Sequence, residues 1–280
     1  MSATATIKLV LPMRKMQPES RAFVYGMIGV PLLLFAALIG CYGRASGDAL
    51  AWLAARSGML LTGTPSSGLA GGFCANIVMS LAAMCVSLCT GMLLCIGTIA
   101  NTRMVRLIAS GILNLLRNTP WLIALYAMLY LLPFYVAVFG TVIPFSPFVK
   151  AVVGLSLPVT ANVAEAMRGG IEAIPSGQWE SARALGYRKN QILRYIVLPQ
   201  AIPLLMPNMM TVYAGLFIGT SLAVVTGTSD VLSVANTITA SDGSRYATAA
   251  QLYVLLLFFL FSFPIATLSR RLERQMREKS

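Results

Sequence analysis

The chain has 280 residues, of which 57% are hydrophobic and only 11% charged, with a mean hydropathy of +0.76. Soluble domains carry about a quarter charged residues, so an ordinary water-soluble domain is excluded. The formal net charge of +12 builds no basic stripe on a soluble face, which excludes a nucleic-acid footprint.

In chain order, residues 1–22 form a basic segment with Lys8, Arg14, Lys15 and Arg21. Apolar runs near the 20 residues that cross a bilayer then predict spans at Phe23–Gly43, Phe73–Ile99, Trp121–Phe139, Phe148–Met167, Tyr195–Thr226 and Thr248–Leu268. The fifth is too long for one straight span, so part of it is expected at an interface or broken by proline. Between them, residues 44–72 read as an outside loop with a weak helical stretch near Ala49–Arg56. Residues 140–147 read as a short turn punctuated by Gly140, Pro144 and Pro147, and residues 227–247 as a last outside loop. The expected fold is all-α, a polytopic membrane protein of about six transmembrane helices. Its parts are residues 1–22, a first helix and outside loop over 23–72, a core over 73–268 with a loop at 168–194, and a tail at 269–280.

The basic residues orient these spans. Seventeen of the 21 Lys and Arg lie before span one, between spans two and three, between spans four and five, or after span six; only Arg44, Arg56, Lys150 and Arg245 do not. Cytoplasmic loops carry such an excess, which predicts cytoplasmic termini and a cytoplasmic 168–194 loop. Basic residues, an apolar stretch and Leu38-Ile39-Gly40-Cys41 look somewhat like a lipoprotein signal. That apolar stretch exceeds the usual signal h-region of about 7–15 residues, so a retained first helix is expected. Cys41, Cys74, Cys85, Cys89 and Cys95 read as small buried hydrophobes, since the chain holds no histidine to complete a soft metal site.

The 168–194 loop is the most informative segment. Pro175-Ser176 is a plausible helix start with Ser176 as cap, and Glu180 sits near the positive end of the dipole. Trp179, Ala182 and Leu185 fall on one stripe, and Gly186 fits a helix stop. A helix this short is not stable alone in water and must pack on its own helix ends or on a partner. Small Ser181 and Ala182 permit close approach, and Glu180 is a charged handle. A membrane-surface helix without a partner would satisfy the same pattern.

From Gly72 onward the chain resembles permeases of the polar amino-acid uptake ABC family, the histidine, glutamate, glutamine, arginine and opine group. The matching blocks are Leu116-Arg117-Asn118-Thr119-Pro120, Ala164-Glu165-Ala166-Met167-Arg168-Gly169-Gly170-Ile171, Ile174-Pro175-Ser176-Gly177-Gln178-Trp179-Glu180, Leu185-Gly186, Leu198-Pro199-Gln200-Ala201 and Thr220-Ser221-Leu222. The resemblance implies a type I importer permease fold with a five-helix core plus an N-terminal helix. It also implies a second permease subunit, identical or related, a cytoplasmic ATPase dimer, an extracytoplasmic solute-binding protein and a polar amino-acid solute. ATP and Mg would sit on the ATPase, with no cofactor or metal in this chain. Ser176, Trp179, Glu180, Ser181, Ala182, Leu185 and Gly186 correspond to the family's ATPase-coupling loop. Ser181 stands where the family usually has alanine, and Ile218-Gly219 where it usually has a Lys-Asp pair. Asn162 and Pro158 occupy places where an aromatic and an asparagine are expected.

Polar side chains inside a membrane are costly and should face a cavity or a partner. Ser156, Thr160, Asn162, Glu165, Thr220 and Ser221 are therefore candidates for the substrate path, with Thr211 and Thr226 as further hydroxyls. Helix-packing hydrogen bonds would explain each singly, and an ion pair with Arg168 would explain Glu165. Pro199, Pro203 and Pro207 recur every four residues, suiting either a pliable helix or a merely bent one. Gly215 and Gly219 give a GxxxG spacing that permits close helix contact. No Gly-x4-Gly-Lys-Ser/Thr loop and no paired acid–base constellation is present, so a permease is expected rather than an enzyme. An ion-coupled secondary transporter and a membrane scaffold are the alternatives.

Overall fold

The computed structural model describes residues 18–63, 71–138 and 141–277. Lys8, Arg14, Lys15 and the last residues of the tail lie outside them. Eleven helices and one hairpin are present among the described residues. Helix α1 (Pro18–Tyr42) turns through Gly43–Ala45 into α2 (Ser46–Thr62). The expected outside loop is thus largely helix, because Ala49, Leu53 and Leu60 give α2 an apolar side to bury.

Helix α3 (Gly72–Thr98) is followed by α4 (Arg103–Arg117), α5 (Trp121–Leu131) and a hairpin of β1 (Tyr135–Val138) and β2 (Thr141–Pro144). The sequence reading missed α4, whose basic residues had marked it as a loop. The Asn118-Thr119-Pro120 block ends it locally. Asn118 Nδ2 donates to the Asn114 carbonyl and Thr119 Oγ1 to the Leu115 carbonyl, each at 2.7 Å, and Pro120 opens α5.

The third predicted span is corrected. Its helix has 11 residues, about 16 Å at 1.5 Å per residue, and Tyr135–Val138 of the predicted span form a strand of the hairpin, with Tyr135 paired to Pro144 and Val138 to Thr141. Of the expected turn over 140–147, Thr141–Pro144 form β2 and Pro147 opens the next helix, while Gly140 lies outside the described residues. Lys150 stops α5: it is 1% exposed, donates to the Leu129 and Leu132 carbonyls at 2.9 and 3.0 Å, and lies 3.6 Å over the Phe134 ring. A cation on the last carbonyls complements the helix dipole.

Helix α6 (Pro147–Glu172) is central: 67% of its most apolar stretch is buried, against 6% for the α1–α2 run. It packs most closely on α3, where Gly91 has no Cβ because one would come within 2.7 Å of Val163 Cγ1 and 3.0 Å of the Thr160 carbonyl. Met79, Leu125, Leu155, Val159, Val163 and Leu216 fill the core there. Helices α7 (Ser176–Ala184) and α8 (Lys189–Ile192) follow, then a π turn (Leu193–Val197), α9 (Leu198–Gly219) and a 3-10 stretch (Thr220–Thr226).

The predicted last outside loop contains α10 (Val231–Asp242), started by Asp230, whose carboxylate accepts from the Ser233 and Leu232 amides. Helix α11 (Ala247–Arg277) closes the chain. A second core holds Leu60, Phe73, Phe217, Val231 and Val254, with the Phe217 and Phe261 rings 4.1 Å apart.

Five helical runs are long and apolar enough to cross a membrane, rather than six, with α5 as a short apolar companion. Cys95 alone of the five cysteines is buried; Cys41, Cys85 and Cys89 are exposed on the isolated chain. Within the chain Gly219 meets the Trp121 ring, whereas the space at Gly215 is open.

Candidate functional site

The loop helix α7 is held from behind. Ala182 is 2% exposed and packs in a cluster with Ile174, Ile192, Val197 and Ala201, with half-buried Trp179 beside it. Two features differ from expectation. Pro175 occupies the cap position and no side chain caps the helix, so exposed Ser176 is simply its first residue. Leu185 is 77% exposed, because it lies in the helix-ending turn and leaves the Trp179–Ala182 stripe.

That turn is made by Gly186, whose φ of +83° suits a residue without a Cβ. The Gly186 amide donates to the Arg183 carbonyl at 2.9 Å and the Tyr187 amide to the Ala182 carbonyl at 3.1 Å, closing the helix by the Schellman pattern. Glu180, Ser181 and Gly186 are left on the exposed side.

Two polar links, through Gln200 and Lys189, tie this helix and its following loop to the spans, and a third bond caps the loop locally. Gln200 Nε2, at the start of α9, donates to Gln178 Oε1 at 2.9 Å. Lys189 Nζ donates to Asn101 Oδ1 at 2.8 Å and to the Ile99 carbonyl at 3.3 Å, reaching the turn between α3 and α4. Gln191 Oε1 accepts from the Arg188 amide at 2.9 Å. The π turn then leads directly into α9. Its wider backbone and the missing amide donors of Pro199, Pro203 and Pro207 remove regular ladder bonds from this junction. Of those prolines only Pro207 is buried; its carbonyl accepts from Thr211 Oγ1 at 3.1 Å and Ser269 Oγ at 2.5 Å.

The six candidate path residues fall into three settings. Ser156 and Thr160 line a groove of about 520 Å³ between α3, α4 and α6, together with Thr90 and apolar residues such as Leu93, Val105 and Ile108. Thr90 and Thr160 share a hydrogen bond at 2.7 Å. Thr220 is buried and accepts from Asn76 Nδ2 at 3.1 Å, while Ser221 Oγ donates to the Ile218 carbonyl at 2.9 Å. Thr226 bonds Thr228 at 2.7 Å. Each of these hydroxyls has a hydrogen-bond partner within the chain.

Glu165 is paired with Arg168 at 2.6 Å and lies 3.8 Å from Arg117; Arg168 also meets Glu172 at 2.7 Å. Half-buried Asn162 stands one turn before it. Two separate sequence blocks thus converge at Glu165 through Arg117, which the reading by loop charge had treated as topology alone. Asn76, Thr90 and Gln200 were also missed as connecting residues; only Gln178 and Gln200, each inside a matched block, carried a signal.

A short helix is thus seated on the chain's own hydrophobic cluster, tied to the spans and open on one face, in a chain with five membrane-length apolar runs. The family described as binding-protein-dependent transport system inner membrane component matches residues 87–278, and the chain belongs to it. With five spanning runs, it is a multi-pass inner-membrane protein.

The chain is 32% identical over 258 residues to the glutamate/glutamine/aspartate/asparagine transport system permease protein BztC of Rhodobacter capsulatus, covering 89% of this chain and 58% of that one. It is 31% identical over 208 residues to the inner membrane amino-acid ABC transporter permease protein YhdY of Escherichia coli, covering 73% and 55%. The chain therefore spans little more than half the length of these relatives. A solved amino acid ABC transporter with histidines shares the fold, with a TM-score of 0.64 at 24% identity over 73% of this chain and 92% of that chain.

Proposed function

We propose that this chain is a permease subunit of an ATP-binding cassette importer for polar amino acids. It works with a second permease subunit, a cytoplasmic ATPase dimer and an extracytoplasmic solute-binding protein. The observation that carries this is α7: its inner face is seated on Ile192, Val197 and Ala201, and its outer face, with Glu180 and Ser181, is exposed. The relatives' names support the solute class, and the basic-loop bias supports cytoplasmic termini in the bacterial inner membrane.

The chain itself does no covalent chemistry in this reading. ATP and Mg bind the partner, whose closure pushes α7. The Gln178–Gln200 bond and the shared cluster carry that push to the foot of α9, and Lys189 carries it to the α3–α4 turn. The spans then alternate between inward and outward openings as packed bodies. The groove lined by Thr90, Ser156 and Thr160 is the candidate stretch of the path.

Glu180 lies on the exposed face, so Glu180→Arg is expected to leave the thermal unfolding of the purified permease unchanged. It should abolish co-purification with the cognate ATPase and solute-stimulated ATP hydrolysis. Wild-type complex formation by the variant would sink the coupling role of α7. Solute uptake that persists in vesicles without any ATPase would favour an ion-coupled carrier instead.

A further inference from the structure

A groove of about 280 Å³ lies where α1 begins and α11 ends. Its floor is aromatic: the Phe23 and Phe263 rings stack at 5.7 Å, with Gly26 giving the Phe263 ring room against α1. Its rim is basic, made by Arg270, Arg271 and Arg274 of α11. The Arg271 guanidinium stands 5.5 Å over the Phe23 ring, which orients it without neutralising it. Among the described residues neither Arg270 nor Arg271 is paired with a carboxylate.

The groove's depth in the bilayer follows from length. Helix α11 has 31 residues, about 46 Å at 1.5 Å per residue, against a hydrocarbon core of about 30 Å. Its apolar run ends at Leu268 and the arginines begin at Arg270, so the rim stands in the headgroup zone and the aromatic floor just inside it. A basic rim over an apolar floor at this depth matches one chemistry: a phosphate joined to acyl chains.

We infer that this groove holds the headgroup phosphate of an anionic phospholipid, with Arg270 and Arg271 on the phosphate and Phe23 and Phe263 against the start of the acyl chains. The lipid adds to the contact that the Phe23 and Phe263 rings already make between α1 and α11. Assignment to the cytoplasmic leaflet follows the basic-loop bias; the chemistry of the groove does not depend on the transport reading.

The test uses the full-length chain in mild detergent, stripped of lipid and titrated with phosphatidylglycerol, phosphatidylcholine or inorganic phosphate. A saturable rise in Tm is expected with phosphatidylglycerol alone. For Arg270→Gln with Arg271→Gln, the apparent affinity should fall about twenty-five-fold, since each arginine near an anionic surface is worth about fivefold. Should the glutamine pair not fold, Arg270→Lys with Arg271→Lys keeps the charge but loses the two-pronged grip, and must still bind phosphatidylglycerol, more weakly than wild type. An equal rise with phosphatidylcholine, a rise with inorganic phosphate alone, or wild-type affinity in either variant pair would overturn the assignment. So would a Tm rise that requires the ATPase in place of lipid, which would make the basic rim a protein contact.

Discussion

At the scale of single residues, the most consequential polar group is Asp230. It is fully buried and starts α10 by accepting from two backbone amides and from Ser233 Oγ. Burial pushes its carboxyl above the ordinary range, against the lowering effect of its bonds to Ser233. An acid raised in the folded state destabilises it once ionised, so the fold is better served by a neutral cap at pH 7. Asp230→Asn, which keeps a cap oxygen, should therefore leave Tm unchanged or higher at pH 7. Asp230→Ala should cost about 1 kcal/mol, the usual worth of a helix cap. Equal loss in both variants, read by thermal unfolding, would place the stabilising effect in the charge instead. In the sequence Asp230 was visible only as a loop acid, because a cap is recognised by the helix after it, and α10 had not been expected.

At the scale of elements, the short α5 depends on Lys150. A lysine on the outer side was legible from the chain, but its task was not: it reaches back across the hairpin to two carbonyls. Lys150→Met would keep the apolar stem and strand both carbonyls, an unmade bond in a buried setting costing about 1–3 kcal/mol. Thermal unfolding should fall accordingly, and an unchanged Tm would show that water replaces the ammonium.

Helix α4 makes the complementary point. Its charges mark a loop, yet its apolar residues share one face: Ala109 and Leu113 are buried, and Leu113 packs near Cys95 and Ala164. Periodicity was present in the chain and was masked by the attention that charge draws. By contrast α7 was legible, since a proline start and a glycine stop are local signals whose physics needs no tertiary partner.

For the whole molecule, one clamp joins the middle of α2, the end of α10 and the turn that leads into α11. Asp242 accepts from the Trp52 indole at 2.8 Å and from Arg56 Nε and Nη2, each at 2.9 Å, while Trp52 stacks on Tyr246 at 5.0 Å. The indole bond and the guanidinium hold the Asp242 carboxyl below the usual carboxylate range. A carboxyl lowered in the fold contributes stability that is present above its unfolded pKa of about 3.9 and is lost as pH falls through the folded value. Asp242→Asn should lower Tm at pH 7, and the gap to wild type should close as the pH drops below about 4. A gap that stays constant with pH would show that the clamp works through shape rather than charge.

What the chain determined by itself follows from solvent. Long apolar runs and a basic bias between them dictate helices in a bilayer, since no other segment can satisfy its backbone there, and local start and stop signals dictate α7. What only the tertiary structure decided is which polar groups meet. Arg117 and Glu165 lie in different blocks, Gln178 and Gln200 in different helices, and Asn76 and Thr220 are 144 positions apart. In lipid a polar side chain takes whichever partner the packing of α3 and α6 brings within reach, and no local pattern encodes that distance.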